Sequence, residues 1–411
     1  MEPHAATADE PDEVRQGMDY GAMAVLVIAI FAMVGFSPWG WDVPLAFLTA
    51  EAAVISLVIW QACDPFGEAA QWIGNRFRLP GSVRGATLDA IASSLPELLV
   101  STIFVVMALT SGGDSAQNSQ GFGSAIAVVA GSAVYNMILI PAVCALVISV
   151  RRPARPTISV SREVITRDGM WFLGCEVFLI YCLLQGAMTW WMALVFMAAY
   201  VVYVGFLYRH AKAERGRRPS EGAEVEHDAT HAHAFFDLIR IPLNGLSVWL
   251  IILAATVVAG VACFFLVDLT EKTAGALGVS PFFVVVILAA AASSIPDTFL
   301  SIAAALRGDD SGAVSNAFGS NTFNLCVCLP IPLLISSAAN GWGSVSLSGT
   351  DGQPIPGLVP LPMLLAVLST ITLGIMWHRH QLTRMKAIAL CGLYAIFVGY
   401  AVLGSLNLIN F

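Results

Sequence analysis

Apolar runs of roughly 17 to 28 residues, each long enough to cross a bilayer as a helix, recur along the chain between short polar or basic connections. Eleven such spans are predicted, at 20–36, 44–63, 83–109, 123–149, 169–186, 189–208, 243–268, 278–306, 312–337, 359–377 and 386–408. Their connections then alternate between two sides. Of the 20 Lys and Arg residues, all except Lys272 fall on one side, from Arg15 through Arg209–Arg240 to Lys386. Basic residues are retained in cytoplasmic loops, so the pattern predicts an N-terminus inside and a C-terminus outside. Trp39, Trp41, Trp190 and Trp342 then lie near outer ends, where indole rings favour the interface.

The chain also repeats itself. Residues 90–101, AIASSLPELLVS, match 290–301, AAASSIPDTFLS, at six of twelve positions, with Leu95/Ile295 and Glu97/Asp297 conservative besides. Further along, Gly131-Ser-Ala-Val-Tyr-Asn136 matches Gly319-Ser-Asn-Thr-Phe-Asn324 in the same order. The separation is 40 residues from Pro96 to Asn136 and 28 from Pro296 to Asn324, a difference that the Gly/Ser/Asn-rich loop 110–122 can absorb. The first motif lies on the third span and its copy on the eighth, and an odd offset reverses direction. Two inverted repeats follow, an arrangement that places a binding site at the bilayer midplane. The expected fold is therefore all-α and integral to the membrane. A ten-helix core forms from a first five-helix repeat at 44–208 and a second at 243–411, joined by a cytoplasmic linker at 209–242. A polar tail at 1–19 and an extra transmembrane helix at 20–36 precede the core.

Composition sharpens this picture. With 57% hydrophobic and 12% charged residues, the chain needs lipid as a solvent and has the bilayer as its partner. A formal charge of -8, with its basic residues scattered between apolar stretches, excludes nucleic acid. The eight cysteines (Cys63, Cys144, Cys175, Cys182, Cys263, Cys326, Cys328 and Cys391) lie in or beside apolar segments, as small hydrophobes do, and suggest neither a disulfide nor a zinc framework. Residues 1–19 lack the basic region of a signal peptide, so the first apolar run reads as a retained helix. The charge-rich stretch 209–240 reads as a flexible linker, and its His227, Asp228, His231 and His233 have no fixed metal-ligand spacing. The stretch 66–77 suits a short interfacial helix or a plain connection.

The repeated motifs carry cation chemistry. Pro96 and Pro296 interrupt their helices and should free the carbonyls of Ala92 and Ala292, which need a partner at membrane depth. Glu97 and Asp297 lie mid-span, where a carboxylate costs several kcal/mol unless it is paired. Neither has a basic partner in any span, and two carboxylates balance one divalent ion. Ser94 and Ser294 share their helical faces, so Glu97, Asp297, Ser94 and Ser294 are the expected metal ligands. Ser132, Asn136, Ser320 and Asn324 add oxygens from the following helices. Hard oxygen ligands suit calcium or sodium and disfavour soft metals. Glu51 and Glu176 also lie within spans but have no counterpart in the other half; Asp89 sits near a helix end, where water enters.

At these residues the chain resembles the sodium/calcium exchanger family of the calcium:cation antiporter superfamily, whose hallmark is a pair of inverted α-repeats. The resemblance covers roughly 44–408 and is most specific in 85–141 and 278–330. By position it implies a site of Ser93, Ser94, Glu97, Ser132 and Asn136 with Ser293, Ser294, Asp297, Ser320 and Asn324, plus the backbone oxygens of Ala90 and Ala290. SSIPDTF followed by GSNTFN looks like the potassium-independent members, since potassium-dependent relatives usually carry Asp where Asn324 stands. Ala92 and Ala292 replace the usual Gly, Pro141 and Pro330 stand where the family often has Gly, and Ala133 replaces an Asn. The 209–240 loop is also too short for the calcium-sensing domains of the animal exchangers.

The resulting expectation is a secondary-active antiporter, not an enzyme, that exchanges Ca2+ for Na+ in the plasma membrane by alternating access, with no cofactor besides the transported ions. Exchange of a divalent ion for protons, and potassium-dependent exchange, are the nearest rivals. A passive cation channel would conduct without counter-transport. An intramembrane aspartyl protease would need a Gly-x-Gly-Asp segment, which is absent, and would leave the duplicated Ser and Asn unexplained.

Overall fold

A computed structural model of the chain describes residues 10–35, 44–79, 84–111, 115–153, 155–217, 231–349, 352–406 and 408. The first half runs through α1 (Glu10–Gly35) and α2 (Pro44–Arg76), then α3 (Ala90–Ser93) and α4 (Leu95–Thr110). It continues with α5 (Ser115–Val134), α6 (Ile140–Arg151), α7 (Met170–Leu184) and α8 (Trp190–Arg217). The second half holds α9 (Ser247–Leu277), α10 (Pro281–Val284), α11 (Ala290–Ser293) and α12 (Ile295–Leu306). It ends with α13 (Asp310–Phe323), α14 (Pro330–Ala339), α15 (Pro360–Trp377) and α16 (Arg384–Ser405). Among the described residues, seven helices are long and apolar enough to cross a membrane, and two bent helix pairs raise the number to nine. The chain is thus an integral membrane protein. The other two expected spans coincide with shorter helical segments, the apolar Asp19–Met33 within α1 and Met170–Leu184, which is α7.

The halves match where the sequence repeats. The rod of α3 and α4 bends by 56°, and that of α11 and α12 by 42°. Each bend falls at the second serine of the pair, two residues before the proline, at Ser94 (φ -97°, ψ 10°) and Ser294 (φ -84°, ψ 4°). Wider π-helical turns precede both motifs, at Gly85–Asp89 and Val285–Ala289. A second pair, Tyr135–Leu139 and Asn324–Cys328, joins α5 to α6 and α13 to α14. There the N–H of Ile140 reaches the carbonyl of Tyr135, and that of Leu329 the carbonyl of Asn324. Pro141 and Pro330 follow directly. A proline cannot donate to the carbonyl four residues back, and a widened turn just before it accommodates the missing bond.

Short antiparallel pairs tie loops together at both ends. Ile158–Ser159 pairs with Gln381–Leu382, and the Arg152 guanidinium reaches Asp310 at 2.5 Å, so three basic-side connections meet. Ala187–Met188 pairs with Val345–Ser346 at the other end. This grouping agrees with the alternation read from the sequence. Orientation has its own test: with the native cysteines replaced, a cysteine at position 220 is expected to react with a membrane-impermeant maleimide only from the cytoplasmic side. Labelling only from outside contradicts the span assignment.

Two connections differ from expectation. The stretch 66–77 is not a separate helix, because α2 continues through Pro65 to Arg76. Packing explains the continuation: Ala62, Phe66 and Ala70 bury against Ala255 and Ala259 of α9, and Ala69 against Val248 and Ile251. The expected flexible linker is also partly structured. Helix α8 extends to Arg217, and His231–Ala234 pairs with Ile239–Pro242 in a hairpin. The Phe236 N–H donates to Gln61 Oε1 at 2.6 Å, and His233 Nδ1 lies 2.8 Å from Glu68 Oε1. His227 and Asp228 lie outside the described residues.

Candidate functional site

Both bends put a carboxylate on the first turn of a new helix. In α4 the order is Leu95, Pro96, Glu97, and in α12 it is Ile295, Pro296, Asp297. Proline suits this position because the first N–H groups of a helix have no carbonyl to meet. The positive end of each half-helix dipole then faces its own carboxylate. Glu97 and Asp297 have no exposed surface, and neither do Ser94, Ser132, Asn136, Ser293, Ser294, Ser320 and Asn324; Ser93 is 3% exposed. The ten side chains expected at the site are therefore all enclosed.

Hydrogen bonds interlock the two repeats around the carboxylates. Glu97 Oε1 accepts from Ser132 Oγ at 3.2 Å and from Ser294 Oγ at 2.9 Å, one donor from each repeat. Asp297 is served likewise, by Ser320 Oγ on Oδ1 at 2.8 Å and by Asn136 Nδ2 on Oδ2 at 3.0 Å. Ser132 and Ser294 hydroxyls also lie 2.9 Å apart, Ser93 and Ser320 hydroxyls 3.2 Å apart, and Asn324 Nδ2 donates to Ser132 Oγ at 3.1 Å. The pseudo-symmetry is imperfect. Glu97 carries one methylene more than Asp297, and their partners across the repeats differ in kind, a serine for Glu97 and an asparagine for Asp297.

Acceptors outnumber donors in this network. Ser132 and Ser294 have one proton each, yet three contacts among themselves and Glu97 call on them. Glu97 Oε2, Ser94 Oγ and Asn136 Oδ1 are buried without a hydrogen-bond partner. No bond to either carboxylate comes from Lys, Arg or His. Orphaned oxygens at such depth cost about 1–3 kcal/mol each, and unpaired charges more, unless a cation takes them up.

The backbone expectations fare differently. Ala90 O accepts from the Ser94 N–H at 2.9 Å, and Ala290 O from the Ser294 N–H at 3.2 Å. The Ser93 and Ser293 hydroxyls bond back to the same two carbonyls at 3.5 and 3.2 Å. In this structure Ala90 and Ala290 thus serve their own helices. Outside the site, Asp89 lies 3.4 Å from the Arg84 guanidinium, Asp268 pairs with Lys272, and Glu51 is part-exposed.

Several contributors are not named by motif reading. Asn321 Nδ2 donates to the carbonyl of Ala133, its own counterpart in the other repeat, at 3.1 Å. The Ser101 hydroxyl bonds Cys328 O at 3.2 Å, while Ser301 receives Asn316 Nδ2 at 3.1 Å. The signal for that pair was present, since serine is the last of the six matches. Gly131 marks a close crossing: a Cβ there would stand 2.1 Å from Val286 O and 2.6 Å from the Ala290 Cβ. Gly131→Ala is expected to push the repeats apart beside Ser132, costing about 1–3 kcal/mol of stability or more. Thermal unfolding in detergent checks this; a wild-type unfolding temperature contradicts the close approach.

Sodium/potassium/calcium exchanger 4 of Mus musculus is 28% identical over 159 residues, which is 39% of this chain and 25% of that protein. The chain thus aligns with about a quarter of that exchanger's length. Inner membrane protein YrbG of Escherichia coli (strain K12) is 25% identical over 292 residues, covering 70% of this chain and 80% of that one. Among solved structures, the H+/Ca2+ exchanger CAX superposes with a TM-score of 0.61 at 17% identity, covering 94% of this chain and 93% of its own. The sodium-calcium exchanger NCX_Mj gives 0.53 at 18% identity, covering 86% and 98%. The family model "Sodium/calcium exchanger protein" matches residues 47–209 and 247–403, one segment in each repeat. The chain belongs to the sodium/calcium exchanger protein family.

Proposed function

We propose that the chain is a secondary-active antiporter that carries Ca2+ in exchange for Na+ through overlapping sites at Glu97 and Asp297, without potassium, as its two repeats rock between inward and outward access. One observation carries the reading. Two fully buried carboxylates from crossing half-helices share a network of Ser and Asn, with no basic side chain and with unpartnered oxygens on Glu97, Ser94 and Asn136. Glu97 and Asp297 offset the charge of one Ca2+; Ser94, Ser294, Ser132, Ser320, Asn136 and Asn324 supply neutral oxygens. Ca2+ takes 6–8 oxygen ligands, and sodium accepts the same hard donors. In the family, relatives are exchangers and not enzymes, and the site has no need of covalent chemistry. The plasma membrane is the proposed location.

Alternating access follows from the enclosure. Both bends and all ten side chains are sealed, so this arrangement corresponds to an occluded state, and an ion leaves only when the repeats move relative to one another. An ion shifts that equilibrium by its differential affinity for the two open forms, so one ion can drive another.

Two rival drivers have specific support. The names of several relatives include potassium, and one solved structure of this fold is named an H+/Ca2+ exchanger. Purified protein in liposomes separates sodium from protons: calcium uptake is expected when the lumen holds sodium, and not when an acid lumen contains only choline. Uptake driven by the acid lumen alone supports proton exchange instead.

A further inference from the structure

Glu176 lies in the middle of a predicted span outside the candidate site and, unlike the part-exposed Glu51, is buried. It lies halfway along α7, is 2% exposed, and faces α15, the fourth core helix of the other repeat. Ser369 Oγ donates to Glu176 Oε1 at 3.2 Å, while Glu176 Oε2 is buried with no hydrogen-bond partner. Thr372, three residues beyond Ser369 and so on the same face of α15, is fully buried, and its hydroxyl also has no partner. We infer that Glu176, Ser369 and Thr372 form a proton-binding site between α7 and α15, separate from the paired carboxylates, in which Glu176 is held as a neutral acid.

An ionised Glu176 would rest on one neutral hydroxyl in a membrane interior, where a charge without a counter-ion is disfavoured. With a proton on Oε2 the charge vanishes, and the side chain gains a donor for an acceptor on the Thr372 face. Neighbouring elements offer no alternative counter-ion. Helix α15 has no titratable residue; the π-helical turn at Asn324–Cys328 presents Cys326, whose Sγ lies 3.6 Å from that of Cys175; α8 presents Tyr200 and Tyr203. Arg167, at the start of the same rod, is bonded to Asp168 at 2.7 Å, and Asp168 also accepts from Tyr203 and Ser315. A metal ion is poorly served by one carboxylate and two hydroxyls, since Ca2+ takes 6–8 oxygens. The proton is the ligand that matches the donor set. Bound there, it clasps the fourth helices of the two repeats together; its loss would leave a bare charge between them.

Infrared spectroscopy of the full chain in lipid at neutral pH tests this without reference to transport, so its outcome does not depend on which ions are exchanged. The difference between wild type and Glu176→Gln is expected to contain a protonated carboxylic C=O band that shifts in D2O and is lost in the variant. Should that variant fold poorly, Thr372→Val is expected to retain the band at a different frequency, because the acid has lost its acceptor. A difference spectrum showing ionised carboxylate bands instead, or a band whose frequency ignores Thr372→Val, overturns the proposal.

Discussion

Glu97→Gln or Asp297→Asn is expected to abolish calcium exchange while leaving the protein folded. Each substitution keeps side-chain volume, turns one acceptor oxygen into an amide donor, and removes half the charge that offsets a divalent ion. At an effective dielectric of about 20, a unit charge pair about 4 Å apart is worth about 4 kcal/mol, roughly a thousandfold in affinity. Folding has no comparable stake. In the empty protein each carboxylate is buried without a cationic partner, so a neutral amide relieves a desolvation cost and is expected to match or raise the thermal stability of the apo form. The two carboxylates differ in their partners. Asp297 accepts from an amide of the opposite repeat through Asn136, whereas Glu97 accepts from two hydroxyls and keeps Oε2 open. Asp297→Asn therefore places an amide beside the Asn136 amide and requires one of them to turn, while Glu97→Gln is tolerated with less rearrangement. Calcium uptake and unfolding temperature, measured on the same preparations, separate the two effects. Wild-type uptake in either variant contradicts the site assignment; unfolding of both assigns the carboxylates a structural role.

Calcium uptake is further expected to continue when potassium is withdrawn from both sides, and Asn324→Asp is expected to change that coupling. With Glu97 and Asp297 ionised, one Ca2+ already brings the centre to neutrality, and a co-bound potassium would leave an uncompensated charge at low dielectric. Asn324 is built into the centre as a neutral group. Its amide donates to Ser132 Oγ at 3.1 Å, and its Oδ1 lies 3.4 Å from Cys328 Sγ. A carboxylate there removes the donor to Ser132 and adds a third negative charge, so it should recruit a monovalent ion or a proton. The variant is expected to gain stimulation by potassium or to become inhibited at mildly acid pH. If the unmodified protein stops in the absence of potassium, position 324 does not set the coupling, and the chain behaves as the relatives with potassium in their names do.

Much of this architecture was legible because a membrane limits the choices. A span must satisfy its own backbone, so apolar length reads directly as helix, and the loop pairings of 158–159 with 381–382 and of 187–188 with 345–346 agree with the alternation. The carboxylates and their serines were legible because Pro, Ser and an acidic residue repeat together, and buried charge has few uses. Three features were not. The crossed pairing, Asn136 to Asp297 and Ser294 to Glu97, depends on how two bent helices pass each other, which sequence spacing does not encode. The π-helical turns before Pro141 and Pro330 add one residue to a turn, too little to disturb an apolar run. The hairpin at His231–Pro242 escaped because its charged, histidine-containing sequence reads as solvated linker, while its order comes from distant groups on α2, Gln61 and Glu68. The same blindness applies to Glu176, whose partner Ser369 is far along the chain and matches no repeat position.

The central claim is that Glu97 and Asp297 together hold the transported calcium, and direct binding tests it without the complications of flux. Radioactive calcium is equilibrated with purified wild type, Glu97→Gln and Asp297→Asn in detergent, with sodium titrated against it. Saturable calcium binding that sodium displaces is expected of the wild type, with binding lost in both variants while they remain folded. Undiminished, sodium-sensitive calcium binding in either folded variant would contradict it.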